Sequence, residues 1–362
     1  MLLPATSDEL AALLREAASK KQTIALAGRG SKRLMAGPIE PSDLTISIAG
    51  LDRMIEYEPR DLTVSVGAGM LYSDLTRTLK AQGQMIPLDP GFGPECTVGG
   101  VIAADISGPR RRLYGTARDM VIGMKFVTLE GQVVETGGRV VKNVAGLDMA
   151  KLLIGSFGTL AAIASVNFRL HPIPPETRTF VIEFNSLPET IGARDAIHKG
   201  PLQPAALDII KDAGKYQLLI RAGGNKAVMD RYARELPRAE IMDGDDEERL
   251  WAEIREFTPA FLRAHPNGAV VRVTSKLTAL GEVLESLPSR ALARAGSGVC
   301  YGYFDDWHDA IGRGLLEYAP DEARGLNGRA TPAEPGFVMM KRVKDMLDPL
   351  SLLNRGRLYG YL

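Results

Sequence analysis

The chain has 362 residues, of which 45% are hydrophobic and 24% are charged, a composition typical of a globular protein with a large buried core. Lysine plus arginine equals aspartate plus glutamate at 44 each, so the basic excess of a general nucleic-acid-binding protein is missing. The two cysteines form no CxxC pair, which argues against a disulfide framework, a structural zinc site and a cysteine-ligated cluster. The sequence contains no run of about 18 apolar residues, the length that predicts a transmembrane segment. No signal peptide is evident either, so we expect a cytoplasmic protein.

The first half of the chain alternates predicted helices and strands. A helix is predicted at residues 6–20, because Thr6 and Glu9 match a capping box and apolar residues recur along one face. Strands, with two hairpins among them, are predicted at residues 23–27, 44–48, 54–57, 62–66, 120–129, 132–135 and 160–170. Further helices are predicted at residues 71–82 and 147–154. The glycine-rich and proline-rich residues 87–114 predict little regular structure.

The character of the sequence changes at residues 171–175, where successive X-Pro bonds favour an extended linker between domains. Beyond this linker, strands are predicted at residues 179–184, 216–221, 269–274 and 298–304. Helices are predicted between and after them, at residues 225–236, 245–257, 306–318 and 337–347. This order suits an antiparallel sheet with helices on one face.

The first glycine cluster follows the strand at residues 23–27. Gly28 and Gly30 suggest a Rossmann dinucleotide fingerprint, but Arg33 stands where the third glycine is needed and Pro38 prevents a helix. A turn of this kind, with several free N–H groups, can form an anion-binding nest for a diphosphate. An ordinary tight turn is the commoner interpretation of such a segment taken alone.

Three more glycine clusters, at residues 90–100, 108–116 and 155–159, change that balance. Long glycine-dense loops inside a well-patterned domain are usually either functional or disordered. Four separated clusters indicate one extended ligand that backbone groups contact from several places, and separate structural turns explain the set less well.

In their order, these motifs resemble the FAD-linked oxidases of the vanillyl-alcohol-oxidase superfamily. The motifs are Gly28-Arg-Gly-Ser-Lys32, Thr97-Val-Gly-Gly100, Tyr114-Gly-Thr-Ala-Arg-Asp119, Gly155-Ser-Phe-Gly-Thr-Leu160, and Asp348-Pro followed by Asn354-Arg-Gly356. Within the superfamily, residues 103–111 and 137–148 resemble most closely the FAD-binding subunit of the bacterial glycolate oxidase complex. The resemblance covers the first ~170 residues and the last ~30.

The resemblance implies an α+β fold in three parts. Residues 1–174 would form a PCMH-type FAD-binding domain of two subdomains, residues 175–330 an antiparallel α+β cap domain on the substrate side, and residues 331–362 a C-terminal segment that returns to the FAD domain. The FAD would be bound non-covalently, because the first loop has no histidine for attachment and Cys96 lies off the attachment pattern.

The resemblance also assigns cofactor-binding residues. Those for the diphosphate would be Gly28, Arg29, Gly30, Ser31 and Lys32. Those along the diphosphate and the isoalloxazine would be Pro90, Gly91, Thr97, Gly99, Gly100 and Gly108, with Tyr114, Gly115 and Thr116 on the far side of the flavin. Gly158 and Ile163 would meet the adenine and ribose, and Asn354 would return to the flavin ring.

The implied function is flavin-mediated oxidation of glycolate, or a similar 2-hydroxy acid, to glyoxylate or the corresponding oxo acid. The chain would be one subunit of a complex with a larger FAD-linked subunit and an iron–sulfur subunit, passing electrons to a partner or to quinone. It would be cytoplasmic, and would meet the inner membrane only through those partners. A free-standing FAD oxidoreductase for another alcohol and a non-catalytic electron-transfer module are the alternatives.

The catalytic residues are not evident from the sequence, and the candidates are Arg110, Arg111 and Lys142. The run of three arginines at 110–112 would suit a small carboxylate or a partner subunit, or would form a solvated basic loop. The four histidines lack metal-ligand spacing, so no metal site is expected. Larger relatives carry histidines over the flavin. We therefore expect the isolated chain to be reduced by glycolate slowly or not at all.

Overall fold

The computed structural model describes residues 1–38, 40–138, 148–324 and 335–358. The helices are α1 (Ser7–Ser19), α2 (Tyr72–Lys80), α3 (Val98–Ala103), α4 (Arg111–Tyr114), α5 (Ala117–Met120), α6 (Met149–Leu153), α7 (Leu187–Lys199), α8 (Lys226–Glu235), α9 (Gly244–Ala264), α10 (Leu280–Ser286), α11 (Asp321–Arg324) and α12 (Pro335–Leu347). The strands are β1 (Ile24–Ala27), β2 (Leu44–Ser47), β3 (Met54–Glu58), β4 (Thr63–Gly67), β5 (Gln84–Met85), β6 (Val121–Val127), β7 (Val133–Gly137), β8 (Ala162–Arg169), β9 (His171–Pro172), β10 (Glu176–Phe184), β11 (Ala206–Asp212), β12 (Lys215–Gly224), β13 (Glu240–Asp243), β14 (Ala269–Thr274), β15 (Ala291–Arg294), β16 (Val299–Phe304) and β17 (Leu315–Tyr318).

Helix α1 begins where its capping box predicts. The Thr6 hydroxyl accepts a hydrogen bond from the Glu9 N–H (3.1 Å), which satisfies one of the free donors of the first turn. Its apolar face fully buries Leu10 and Leu14 in a core that also contains Ile24 of β1, and the helix packs on β6 and β7. The first glycine loop emerges from the end of β1.

The second part of the N-terminal domain is an antiparallel sheet with strand order β3-β4-β8-β6-β7. Both predicted hairpins, β3–β4 and β6–β7, are confirmed by their strand pairing. The central strand β8 buries Val166 and Phe168 completely. Helix α3 packs on β8, so this sheet supports the second glycine loop from behind.

The cap domain is an antiparallel sheet with strand order β13-β10-β12-β11-β15-β16-β14-β17. Helices α7, α8 and α10 cover one face, where Phe180 and Ile220 are fully buried. Helix α9 covers the opposite face, where its Trp251 packs on Leu219, the neighbour of Ile220 in the strand. The expectation of helices on one face only was therefore wrong. Successive strand residues point to opposite faces, and both faces of these strands are apolar.

Two other local predictions were also wrong. The helix predicted at residues 306–318 is a 3-10 turn (Trp307–Ala310) followed by strand β17, because Gly312 and Gly314 adopt positive φ angles and interrupt the helix. Residues 87–114 contain the short helices α3 and α4. The glycines within α3 lower its helix propensity and concealed it.

The described part of the C-terminal segment lies against the N-terminal part of the chain. Leu353 forms a parallel bridge with Ile24 of β1. Behind the bridge, the buried Lys344 ammonium lies 2.5 Å from the Asp348 carboxylate and also donates to the Thr159 carbonyl (2.7 Å). The hydrogen bond to Thr159 joins α12 to the fourth glycine cluster. No described helix has the length and hydrophobicity required to span a bilayer.

Candidate cofactor and substrate site

A groove lies where the first glycine loop, the start of α3, the turn after α6 and the C-terminal segment meet. It is lined by Leu26, Ala27, Gly28, Arg29, Gly30, Ser31, Lys32, Arg33, Ile48, Thr97, Gly99, Gly100, Ala103, Ala104, Phe157, Gly158, Ala161, Ala162, Ile163, Asn354 and Arg357. Three of the four glycine clusters therefore contribute to one surface.

The first loop presents unpaired backbone donors to this groove. The N–H groups of residues 29–32 have no hydrogen-bond acceptor among the described residues, whereas the Arg33 N–H closes the turn on the Gly30 carbonyl (3.0 Å). Gly30 has a φ of +75°, and a Cβ at this position would meet no atom within 4 Å. Consecutive free N–H groups in such a turn form an anion-binding nest.

The first and second loops are in direct contact. A Cβ on Gly28 would lie 2.2 Å from the Thr97 hydroxyl oxygen, so only glycine fits there. Thr97 caps α3 by accepting from the Gly100 N–H (3.2 Å). On the groove side, a Cβ on Gly100 would meet only the Thr97 hydroxyl within 4 Å. Gly28 thus closes the wall, while Gly100 leaves open space for a ligand.

Asn354 fastens the groove from the C-terminal side. Its side-chain oxygen accepts from the Leu26 N–H (2.6 Å), and its amide nitrogen donates to the Leu26 carbonyl (3.1 Å) and the Phe157 carbonyl (2.7 Å). A Cβ on Gly158 would lie 2.8 Å from this nitrogen. Asn354 lines the groove, and its amide holds the two walls together.

Two buried cations face the groove without a carboxylate partner among the described residues. The Lys32 side chain is bonded only to the Ser31 hydroxyl (3.3 Å), and burial lowers the Lys32 pKa. The Arg357 guanidinium donates to the carbonyls of Lys32 (2.6 Å) and Gly37 (2.7 Å). Burial and the neighbouring Arg324 lower the Arg357 pKa to about 9. A diphosphate in the nest would supply the missing negative charge.

A second cavity, of about 230 Å³, adjoins the groove. Ala104 and Phe157 line both spaces, and the far wall is the inner face of the cap sheet. The polar residues of this substrate-side cavity are Asp105, Ser107, Arg111, Arg272, Tyr301 and Glu317. The cavity brings together the end of α3, helix α4 and three cap strands.

The substrate-side cavity holds two arginines and two carboxyl groups. Arg272 pairs with Glu317 across adjacent strands (2.8 Å), and Arg111 donates to the Ser107 hydroxyl (3.3 Å). Burial raises the pKa of Glu317 and the pKa of Asp105. Burial also raises the Tyr301 pKa to about 12, so this phenol stays neutral. Perturbed carboxyl groups beside a cofactor groove are typical of a functional site.

A third cavity, of about 500 Å³, lies between α2 and α9, away from the groove. We call it the seam cavity. Arg110 pairs there with the buried Asp89 (2.6 Å), and Arg221 pairs with the buried Glu247 (2.7 Å). Although burial alone would raise the Asp89 pKa, the Arg110 guanidinium holds it well below its usual range.

The structure divides the expected cofactor residues between two places. Those that line the groove are Gly28, Arg29, Gly30, Ser31, Lys32, Thr97, Gly99, Gly100, Gly158, Ile163 and Asn354. Those outside it are Pro90 and Tyr114 in the seam cavity, Gly91 against α9, Gly108 against the Asp89 backbone, and Gly115 and Thr116 at the cap of α5.

The three adjacent arginines point to three different places. Arg110 lies in the seam cavity, Arg111 lines the substrate-side cavity, and Arg112 donates to the Pro204 carbonyl of the cap domain (2.7 Å). Lys142 lies outside the described residues. The described residues contain no group of three or more His, Cys, Asp or Glu side chains placed to hold a metal ion.

Sequence reasoning missed Arg357 and Asp105. Arg357 follows the Asn354-Arg-Gly356 motif, which was the available signal for it. Asp105 gives no local signal, because it shares a cavity with Arg272 and Tyr301, far along the chain, only after folding.

Comparison with known proteins places this geometry in context. Residues 1–137 match the family described as FAD binding domain. Glycolate oxidase subunit GlcE of Escherichia coli (strain K12) is 28% identical over 360 residues, 98% of each chain. D-lactate dehydrogenase of Anaerostipes hadrus is 28% identical over 76% of this chain, and the match spans 59% of that longer protein. Glycolate oxidase subunit GlcD of Bacillus subtilis (strain 168) is 27% identical over 58% of this chain and 45% of its own length.

Two solved structures share the fold. p-Cresol methylhydroxylase with substrate bound superposes with a TM-score of 0.78 at 13% identity, covering 99% of this chain and 88% of its own. Alkyldihydroxyacetonephosphate synthase superposes with a TM-score of 0.71 at 18% identity, covering 97% and 75%. These comparisons confirm the expected α+β, PCMH-type fold.

Proposed function

We propose that this chain, which carries the FAD-binding domain of the FAD-linked oxidoreductases and uses FAD as its cofactor, is a subunit of a complex that oxidises glycolate or a similar 2-hydroxy acid. The product would be glyoxylate or the corresponding oxo acid. The similarity to a glycolate oxidase subunit over nearly the whole of both chains supports the assignment. The observation that carries it is the groove with free N–H donors and buried cations, which adjoins a cavity lined by two arginines.

The groove residues would hold the cofactor by its charge and shape. The diphosphate would accept hydrogen bonds from the N–H groups of residues 29–32 and take its counter-charge from Lys32 and Arg357. Gly100 and Ile163 would line its length. When bound, FAD supplies a two-electron acceptor, while the protein supplies position and electrostatics.

The substrate end would be the cavity between the groove and the cap sheet. Arg111 and Arg272 approach it from opposite domains, and an arginine pair is suited to a planar carboxylate. A volume of about 230 Å³ suits a small acid better than a large aromatic alcohol. Arg110 is less suitable, because it lies in the seam cavity, away from the groove, where it pairs with Asp89.

The partners we propose are a larger FAD-linked subunit and an iron–sulfur subunit, through which electrons would leave toward quinone. Any contact with the inner membrane would come through those partners. A free-standing oxidoreductase would work without them, and an electron-transfer module would bind FAD but no 2-hydroxy acid.

Purification under mild conditions tests the proposal. We expect a yellow protein that co-purifies with two partners and whose flavin bleaches when glycolate is added without oxygen. Acid should release intact FAD into the supernatant, and flavin in the precipitate would contradict non-covalent binding only. A yellow chain that purifies alone and is reduced by another alcohol would favour the free-standing alternative. Bleaching by no 2-hydroxy acid, even in the complex, would favour the electron-transfer module.

A further inference from the structure

Asp105 lies in the wall of the substrate-side cavity, on the side that adjoins the groove. It follows Ala104, which lines both spaces, and its own side chain lines the cavity together with Arg111 and Arg272. None of the described histidines lines this cavity. Asp105 is therefore a carboxyl group next to the place where we propose that the substrate and the flavin meet.

The backbone and side chain of Asp105 are both held in unfavourable states. Its φ angle is +47°, in the left-handed region that residues other than glycine rarely adopt. Its Oδ1 atom is buried without a hydrogen-bond partner among the described residues. An unsatisfied buried carboxylate oxygen is destabilising, and strain of this kind is found most often at functional sites. The carboxyl group lines the cavity, so a hydroxyl group bound there would donate to it.

The charges around Asp105 leave it able to exchange a proton. Burial raises its pKa, while Arg111 on α4, Arg118 on α5 and Arg272 on β14 oppose that rise and Asp119 adds to it. Glu317, the other carboxyl of the cavity, already pairs with Arg272 and is less available. A base with a pKa brought toward neutrality transfers protons more effectively near neutral pH.

We propose that Asp105 is the general base of this chain, which accepts the hydroxyl proton of a 2-hydroxy acid whose carboxylate is held by Arg111 and Arg272. The inference rests on the proposed function. The O–H bond of the substrate breaks and its proton moves to Asp105, the hydride of the α-carbon leaves for the bound flavin, and a C=O bond forms. This assignment predicts that the isolated chain, when loaded with FAD, is reduced by glycolate, whereas the lack of placed histidines predicts slow reduction or none.

The test uses the full chain loaded with FAD, alone and with its partners. Asp105→Asn preserves the shape and removes the base, and Asp105→Gly removes the base while relieving the positive φ angle. Asp52→Asn, at an exposed carboxyl of the same domain, is the control. We expect both Asp105 variants to retain FAD and to be reduced by glycolate without oxygen ~10²–10⁴-fold more slowly than the wild type.

Binding of oxalate, a carboxylate probe that cannot be oxidised in this way, gives a second readout. Oxalate would place its second carboxylate against Asp105, where an ionised Asp105 would repel it. The affinity of the wild type for oxalate should therefore rise as the pH falls and Asp105 becomes protonated. The flavin absorption spectrum reports the binding. Asp105→Asn should lose this pH dependence, and Asp52→Asn should keep it.

Three results would overturn the assignment and leave the proposed function standing. They are wild-type reduction rates in either Asp105 variant, an oxalate pH profile that survives Asp105→Asn, and loss of FAD from both variants, which would make Asp105 structural. If no 2-hydroxy acid reduced the wild type even in the complex, the proposed function itself would fail, and this inference with it.

Discussion

The groove and the seam cavity both contain buried cations, but among the described residues only the cations of the seam have a carboxylate partner. Arg110 and Arg221 each pair with a carboxylate that is almost fully buried. Lys32 and Arg357, which are also buried, have only hydroxyl and carbonyl oxygens as partners among the described residues. Ion pairs complete within the chain hold structure together, whereas buried cations without a counter-charge are suited to an anionic ligand.

This contrast separates residues that the sequence placed together. Arg110 and Arg111 are adjacent, yet Arg110 belongs to the structural seam and Arg111 to the substrate-side cavity. Substitutions in the two regions should therefore have different effects, on folding stability in the seam and on FAD binding in the groove.

The largest effect is expected from Gly100→Val. The valine side chain would project into the open space of the groove, where only the Thr97 hydroxyl lies near the Cβ position. We expect complete loss of FAD from a folded protein, measured as the flavin absorbance of the purified chain. Gly192→Val is the control, because a Cβ at this exposed position would meet no atom within 4 Å. This variant should retain as much FAD as the wild type. Wild-type FAD content in Gly100→Val would show that this glycine serves the turn alone.

Gly158→Val should also lose FAD, by a different route. Gly158 has a φ of +72°, and its Cβ would displace the Asn354 amide that ties the groove walls together. We expect a lower unfolding midpoint together with the loss of flavin, both measurable in one thermal scan. A stable variant that retains FAD would show that the Asn354 clamp tolerates displacement.

In the seam, Asp89→Asn should destabilise the fold without weakening FAD binding. It leaves the Arg110 guanidinium buried without its counter-charge, a change that typically lowers the free energy of unfolding by about 3–5 kcal/mol. Urea unfolding of the apoprotein measures the loss. Asp74→Asn, which breaks an exposed pair with Arg77, should change stability by less than ~1 kcal/mol. A similar small loss for Asp89→Asn would mean that the seam pair contributes little.

The same seam pair gives stability a pH dependence. The folded-state pKa of Asp89 is depressed, so its contribution is present above the unfolded pKa of ~3.9 and is lost as the pH falls through the lower folded value. Below the unfolded pKa, the wild type should therefore lose stability more steeply than Asp89→Asn. Parallel acid unfolding curves would contradict the assignment.

Much of the fold could be predicted because its signals are local. The capping box set the start of α1, and Asp348-Pro349 followed the end of α12. The glycine clusters located the groove for the same reason, since glycine marks positions where the backbone needs space. The prediction of a helix at residues 306–318 was wrong, because it followed the spacing of the apolar residues and gave too little weight to Gly312 and Gly314.

What the sequence could not show depends on contacts between distant residues. Arg357 reaches the first loop across more than three hundred positions, and no periodicity reports such a pairing. The three directions of the arginines at 110–112 are set by the start of α4 and by the cap domain that covers it. Whether a buried charge has a partner, the property that distinguishes the groove from the seam, appears only in the folded chain.

A moderate effect on affinity is expected from Arg357→Met. Loss of a charge-assisted hydrogen bond typically weakens binding by about 1.5–3 kcal/mol, so FAD affinity should fall roughly 10- to 150-fold. Arg355→Met, two residues away at a half-exposed pair with Glu40, is the matched control and should bind FAD normally. Fluorescence titration of the apoprotein with FAD gives both constants. Equal affinities would place the diphosphate away from Arg357.

The smallest expected effect is the uptake of protons when FAD binds beside Lys32. Burial lowers the pKa of Lys32, so part of the lysine population becomes neutral at a lower pH than for an exposed lysine. A bound diphosphate would favour the charged form and raise this pKa again, so FAD binding at alkaline pH should take up protons. The FAD affinity should then fall as the pH rises, by at most tenfold for each pH unit.

Calorimetric titrations in buffers of different ionisation enthalpy count the protons taken up when FAD binds. Lys32→Met should bind more weakly and take up fewer protons, while Lys21→Met, at an exposed lysine after α1, should match the wild type. Equal proton uptake by the Lys32 variant and the wild type would show that the diphosphate does not lie beside Lys32. The contrast with the seam would then depend on Arg357 alone.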